Sequence, residues 1–442
     1  MKRSLLALVA IAVAARPAFG APGAAPALSE LPSPLDLRGA IGYALDHNYS
    51  IQQSREAIRL QEGVIVQVKG RQIPNLSAQG QWQKNDASIS ELYPPSTSLW
   101  NVEVMATQTL YAGGGVVSSI KNAKLTREAV AYDLQTTIDS ALLDVRTKFY
   151  NVLLAREKIR VEEENVRLYE HQLEDTKNQF ASGTVSNFEV LRAKVFLANA
   201  QPNLITARNS YRISIEQLRQ SLGTPGSTSF PEVAGDLSFE PASYDSESAL
   251  AAARAHRPEL RRLGKLRDAA DESVTTARAG FYPSLQAFGA YEWDGFNFAN
   301  ASYGNVNANG WLFGLQSTWS IFDGRATDGK VRQAKSQLEQ ARLSEASEEL
   351  EIDVEVRQAI SSLQEAGELV TASKQTIEQA AEALRLAEAK FHAGSATQLD
   401  VLTSQVSLTQ AKTDQLTANY NYLVALANAR KAIGLSDALV TP

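Results

Sequence analysis

Two patterns of apolar and polar positions run along the chain, and each occurs twice. From Leu99 to Tyr111 the even positions read Trp100, Val102, Val104, Ala106, Gln108 and Leu110, and the odd ones Leu99, Asn101, Glu103, Met105, Thr107, Thr109 and Tyr111. A period of two over about a dozen residues predicts a β-strand with one apolar and one polar face. Residues 73–83 alternate likewise, with Leu76, Ala78, Gly80 and Trp82 set against Asn75, Ser77, Gln79 and Gln81. The same alternation returns at Leu285, Ala287, Gly289, Tyr291 and Trp293, then at Trp311, Phe313, Leu315, Trp319 and Ile321. Strand pairs are therefore expected at about 73–111 and about 282–322. The second pattern steps by three or four. Residues 116–182 hold neither glycine nor proline, and a helix that long would measure roughly 100 Å at 1.5 Å per residue. Val130, Leu134, Ile138, Ala141, Val145, Phe149, Val152, Ala155 and Ile159 form one apolar stripe along it, which Ile352, Val356, Ile360 and Leu363 repeat. Such lengths exceed ordinary globular helices and fit an elongated bundle or coiled coil.

The chain is one unit written twice. The segment Phe180-Ala-Ser-Gly183-Thr-Val-Ser186-Asn-Phe-Glu189-Val-Leu191 recurs as Phe391-His-Ala-Gly394-Ser-Ala-Thr397-Gln-Leu-Asp400-Val-Leu402, offset by 211. The same offset relates Leu110-Tyr111 to Ile321-Phe322 and Leu222-Gly223 to Ile433-Gly434; ahead of the strands it is 209, relating Pro74 to Pro283 and His47 to His256. Repeat 1 spans 35–223 and repeat 2 spans 246–434, with a Pro/Gly/Ser-rich linker at 224–245 and a tail at 435–442. Each repeat reads helix, two strands, very long helix, tight turn, helix. The turns fall at about 180–189 and 391–400. The leading helix (about 35–72) and the return helix (186–222) are each about half the long helix, so they should stack end to end beside it, placing the linker at the waist. Pro202 lies within the first return helix and should kink it; its repeat partner is Thr413.

The strands are long enough to cross a bilayer at a tilt. All five tryptophans, Trp82, Trp100, Trp293, Trp311 and Trp319, fall in the strand segments, as an aromatic girdle at the membrane interfaces requires. Four strands cannot close a membrane barrel, and lipid tolerates no open edge. Several copies must therefore share one barrel, of 8, 12 or 16 strands for a dimer, trimer or tetramer.

Residues 1–20 read as a signal peptide: Lys2 and Arg3, an apolar core from Leu5 to Ala15, and a small-x-small site at Ala18-Phe19-Gly20. An extended leader, 21–34, follows. Composition narrows the function. The 442 residues are 44% apolar and 21% charged, with net charge −6, which excludes a disordered chain and gives nucleic acid no attraction. There is no cysteine, which removes disulfides, thiol catalysis, Cys-ligated metals and an N-terminal lipid anchor. The four histidines, His47, His171, His256 and His392, are far apart and lack metal-site spacing. No catalytic, cofactor or metal site is read. Gly113-Gly114-Gly115 lacks the Lys-Ser/Thr of a phosphate loop and reads as a strand-to-helix corner.

Glu189 and Asp400 stand three residues after Ser186 and Thr397. That spacing is a capping box at the start of each return helix. It leaves a second role open, since the family resemblance drawn next implies a tunnel whose mouth the converging turns would ring with these carboxylates.

These features together resemble the TolC-like outer-membrane efflux proteins. The specific marks are the two glycine-turn motifs, the Pro-x-Leu strand entries at Pro74 and Pro283, and the exits Tyr111-Ala112-Gly113 and Phe322-Asp323-Gly324. The resemblance spans about 35–435. It implies a mainly α fold with a membrane β-barrel: a homotrimer whose 12-stranded barrel continues as a periplasmic α-helical barrel. It further implies an exit duct of a tripartite efflux or type I secretion system. The partners would be a periplasmic adaptor, an inner-membrane transporter and outer-membrane lipid, with no enzymatic activity and no cofactor. The absent cysteine places the chain in the unlipidated branch. Some members carry an acid one turn after Asp400, where this chain has Thr403. The turns are the expected adaptor-docking tips: Gly183, Thr184, Val185, Gly394, Ser395 and Ala396, with Phe188 and Leu399 packing beneath. A periplasm-spanning structural protein without transport is the alternative of another class.

Overall fold

The computed structural model describes residues 31–86, 88, 96–225, 229–298 and 305–435. The expected signal peptide and most of the leader and tail lie outside these residues. Each repeat unfolds in the same order. Repeat 1 has α1 (Leu37–His47), α2 (Tyr49–Lys69), β1 (Asn75–Lys84), β2 (Ser96–Ala112), α3 (Gly115–Ala181) and α4 (Asn187–Leu222). Repeat 2 has α5 (Ser246–His256), α6 (Pro258–Arg278), β3 (Ser284–Phe298), β4 (Asn305–Thr318), α7 (Ala326–His392) and α8 (Gln398–Ile433). The long helices α3 and α7 have 67 residues each, so each runs for about 100 Å. Among the described residues, no helix is long and apolar enough to cross a membrane.

The leading helix is not continuous. It breaks at Asn48, whose Oδ1 accepts from the Ser50 and Ile51 amides (2.9 and 3.2 Å) and so caps α2. Its Nδ2 donates to the Ser221 carbonyl at 2.7 Å, which joins the start of α2 to the end of α4. Repeat 2 makes the same joint with a different residue. Arg257 precedes Pro258 at the first position of α6 and donates to the Ala432 carbonyl at 3.2 Å. Gly223 sits at φ +75°, where a Cβ would come within 2.3 Å of the His47 carbonyl oxygen. Only glycine permits this approach. α4 remains one helix through Pro202.

The four strands form one antiparallel meander, β1-β2-β3-β4. The central β2–β3 pairing joins the two repeats. β4 ends at Thr318, so Trp319, Ile321 and Phe322 lie beyond it, where the alternation had placed them in the strand. On the helical side, α2 and α4 pack on α3, and α6 and α8 pack both on α3 and on α7. The largest core lies at the waist: Leu35, Ile41, Val145, Phe149, Leu153, Leu218, Leu222 and Val233 are all buried there. The linker strand bonds Leu35 to Glu232 and Ala234 through the backbone. Arg156 holds the carbonyls of Val233 and Gly235 at 2.8 and 2.7 Å, and Tyr422 Oη bonds Glu240 and Ala242. The belt thus fastens α3 of repeat 1 and α8 of repeat 2.

Candidate functional site

The sheet separates its faces as the alternation requires. Val104 stands between Ala78 and Tyr291, and Tyr291 between Val104 and Trp311. Phe313 pairs with Gly289 and Leu315 with Ala287, so one face is apolar from β1 to β4. Trp311 stacks on Phe313 at 5.2 Å and Tyr291 packs on Trp293 at 4.5 Å. Trp82 pairs with Trp100, whose indole lies over Gly295, a position where a Cβ would collide with it. Trp319 donates to the Phe281 carbonyl at 3.1 Å, at the helix-facing end of the sheet.

The opposite face is polar. Glu103 pairs with Gln79 on one side and Glu292 on the other, and is 8% exposed. Gln79 Nε2 donates to it at 2.7 Å, and Asn101 Nδ2 donates to Asp294 at 2.7 Å. Glu292 and Asp294 were not singled out from the sequence. Their signal was available, because they share the parity opposite to Tyr291 and Trp293.

At the other end of the molecule the chain turns twice. Gly183 and Gly394 adopt φ +78° and +69°, each surrounded by open space. The amides of Gly183 and Thr184, and of Gly394 and Ser395, return to the last carbonyls of α3 and α7, closing each helix as a left-handed C′ residue does. The two turns differ after that. Thr397 and Asp400 form a complete capping box: the Thr397 amide and hydroxyl donate to Asp400 Oδ2 at 2.7 Å, and the Asp400 amide donates to Thr397 Oγ1 at 3.3 Å. These bonds hold the Asp400 carboxyl below its usual range.

The capping box expected at Ser186 and Glu189 does not form. Glu189 instead pairs with Arg192 at 3.1 Å, one turn along α4. The repeat partner of Arg192 is Thr403, so Asp400 has no such competitor. Phe188 and Leu399 do not pack beneath the tips. They are 62% and 42% exposed, and the Arg192 guanidinium lies 4.6 Å from the Phe188 ring. Val190, Ala193, Gln398, Val401 and Leu402 are buried here. The two tips are held side by side, since Gln398 Nε2 donates to Thr176 Oγ1 at 2.5 Å. Further along that seam, Thr409 bonds Asn165 at 3.1 Å and Lys412 pairs with Glu164 at 3.0 Å.

A sheet apolar on one face and polar on the other, carried on paired 67-residue helices, is the arrangement of a membrane-embedded duct wall. The outer membrane efflux protein model matches residues 40–224 and 249–435. The chain belongs to that family. Nodulation protein T of Rhizobium leguminosarum bv. trifolii is 23% identical over 397 residues, 89% of this chain and 84% of that protein. Outer membrane protein TolC of Escherichia coli (strain K12) is 27% identical over 318 residues, 68% of this chain and 62% of TolC. The structure of CusC superposes with a TM-score of 0.77 at 17% identity, covering 90% of this chain and 92% of CusC. The open state of the Neisseria gonorrhoeae MtrE outer membrane channel superposes with a TM-score of 0.74 at 21% identity, covering 90% and 89%. As an outer membrane efflux protein, the chain is an export channel of the outer membrane. The apolar sheet face suits contact with lipid, and the opposite, polar face carries Glu103, Glu292 and Asp294.

Proposed function

We propose that three copies of this chain close one 12-stranded barrel and continue it as a helical tunnel across the periplasm. The duct passively passes small molecules or proteins delivered by an inner-membrane transporter through a periplasmic adaptor. The observation that carries this reading is a sheet with a continuous apolar face whose two outer strands, β1 and β4, each pair on one side only among the described residues. Lipid allows neither an open edge nor so short a barrel, so other copies must supply the missing pairs.

The tips face away from the sheet, at the end that a periplasmic partner can reach. Thr184, Val185, Ser395 and Ala396 are small and lie beside the two turns, which suits close backbone approach by a helical adaptor. Asp400, already held by Thr397, and Glu189, held by Arg192, line the same end. Three copies would bring six carboxylates to the mouth, a lining that favours cations. The tryptophans would sit in the headgroup zones, as amphipathic rings do. The direct test is conductance: purified protein in a planar bilayer should give discrete channel steps. A correctly assembled protein that never conducts would leave only a structural strut.

A further inference from the structure

Cations are not spread evenly along this chain. The segments where the sheet meets the helices, 69–74, 113–122, 278–283 and 319–333, carry seven basic residues and two acidic ones, in a chain of net charge −6. The segments at the sheet's other end, 82–99 and 294–309, carry one basic residue, Lys84, and three acidic ones. The excess of positive charge therefore belongs to one end of the sheet.

Close contacts set these corners at one level. Gln108 Nε2 donates to the Gln72 carbonyl at 3.1 Å, which joins the end of α2 to β2. A Cβ on Gly113 would come within 2.7 Å of the Ala279 carbonyl oxygen, and one on Gly280 within 2.7 Å of Thr327 Oγ1. The corner of repeat 1 thus rests on the end of α6, which rests on the start of α7. Phe281, Tyr282, Trp319 and Phe322 are exposed here. Beside these rings, Lys69, Arg71, Arg278 and Lys330 are exposed and pair with no carboxylate among the described residues.

Arg325 is the odd residue of this collar. It adopts φ +68°, the only positive φ outside glycine among the described residues. Its repeat partner is Gly114, at φ +81°. A side chain in left-handed backbone is strained, and repeat 1 avoids the strain with glycine. Within the chain little offsets it. The guanidinium side chain is 72% exposed and reaches Asp328 at 3.4 Å, and an exposed pair of that kind contributes little. The same Asp328 holds Arg332 at 3.0 Å, so one carboxylate spaces two guanidinium groups beside Lys330. The contact that would offset the strain lies outside the chain.

In the duct proposed above, on which this inference rests, the helix-facing end of the sheet lies at the periplasmic leaflet. We propose that the collar binds anionic phospholipid of that leaflet, with Arg325, Lys330 and Arg332 on the headgroup phosphates at one corner and Lys69, Arg71 and Arg278 at the others. Aromatic rings settle at the headgroup level. Basic residues just beyond the hydrocarbon attract anionic headgroups, with about a fivefold gain in affinity for each. The cations adjoin the rings and the apolar sheet face, which favours a lipid over a soluble phosphate.

The test uses the full-length protein in detergent with equal amounts of phosphatidylglycerol and phosphatidylethanolamine, read by native mass spectrometry. Phosphatidylglycerol should be retained in several-fold excess. Arg325→Gly relieves the strain, so it should melt no lower than the parent, and it should cut that excess about fivefold. Lys330→Gln should cut it likewise, whereas Lys374→Gln, about 70 Å further along α7, should leave it unchanged. Equal retention of the two lipids, or an excess that survives Arg325→Gly and Lys330→Gln together, would overturn the collar and leave the duct standing. Loss of the excess on adding inorganic phosphate, but not sodium chloride of the same ionic strength, would also overturn it, by making the site one for a soluble anion. A protein that does not insert into vesicles would overturn the duct itself.

Discussion

Val104 and Glu103 are neighbours in β2 and face opposite solvents. Val104 lies among Ala78, Tyr291 and other apolar groups, while Glu103 accepts from Gln79 beside Glu292. An arginine on the lipid face costs ~2–4 kcal/mol near the bilayer midplane, so Val104→Arg should abolish insertion. Glu103→Lys should still assemble, because lysine reaches the Glu292 carboxylate across the strands. Outer-membrane fractions of the two variants compare them directly, and equal loss would mean the faces are misassigned. At the tips, Thr397→Ala removes a cap that is used, and Ser186→Ala removes one that is not. Amide exchange in the first turn of α8 should quicken roughly fivefold, as loss of an N-cap does, while that of α4 stays unchanged. Because the Asp400 carboxyl is held below its usual range, its share of the cap is present above the ordinary carboxylate pKa. That share should vanish as pH falls through the lowered folded value.

The long helices were legible because glycine and proline are absent from them and their apolar positions repeat. The strands were legible because a two-sided wall must alternate. The break at Asn48 was not, since periodicity runs across a single non-helical residue; Pro258 at the matching joint of repeat 2 was the available signal. At the failed cap the Glu189 carboxylate goes to Arg192, a partner one turn away whose reach no spacing rule reveals. The exposed Phe188 and Leu399 show the same limit, because an apolar residue at a tip has no fixed inward side until the partner helix is placed. Within α3, Glu162 carries an unpartnered, buried Oε2. Burial pushes its carboxyl pKa up against the pull of a bond from Asn165. A raised folded pKa means the protein loses stability as pH rises from the unfolded pKa through the folded one. Glu162→Gln should therefore raise the melting temperature at neutral pH and match the parent in acid. A lower melting temperature at neutral pH would show that the charge is stabilising.

For the whole molecule, the two ends divide the work. In the proposed duct the sheet meets lipid and the tips meet the periplasmic partner, with the belt at the waist holding both repeats in line. Gly183 and Gly394 require left-handed backbone, which a side chain strains by roughly 1–2 kcal/mol, yet the space around them is open. Replacing both with bulky residues should leave the assembled channel in the outer membrane and stop export. Undiminished export would remove the tips from the mechanism. The central claim is that no single chain closes the duct, and native mass spectrometry of the detergent-solubilised protein tests it most directly. One species at three times the mature chain mass is the predicted result. A folded, micelle-inserted monomer as the stable form would contradict it.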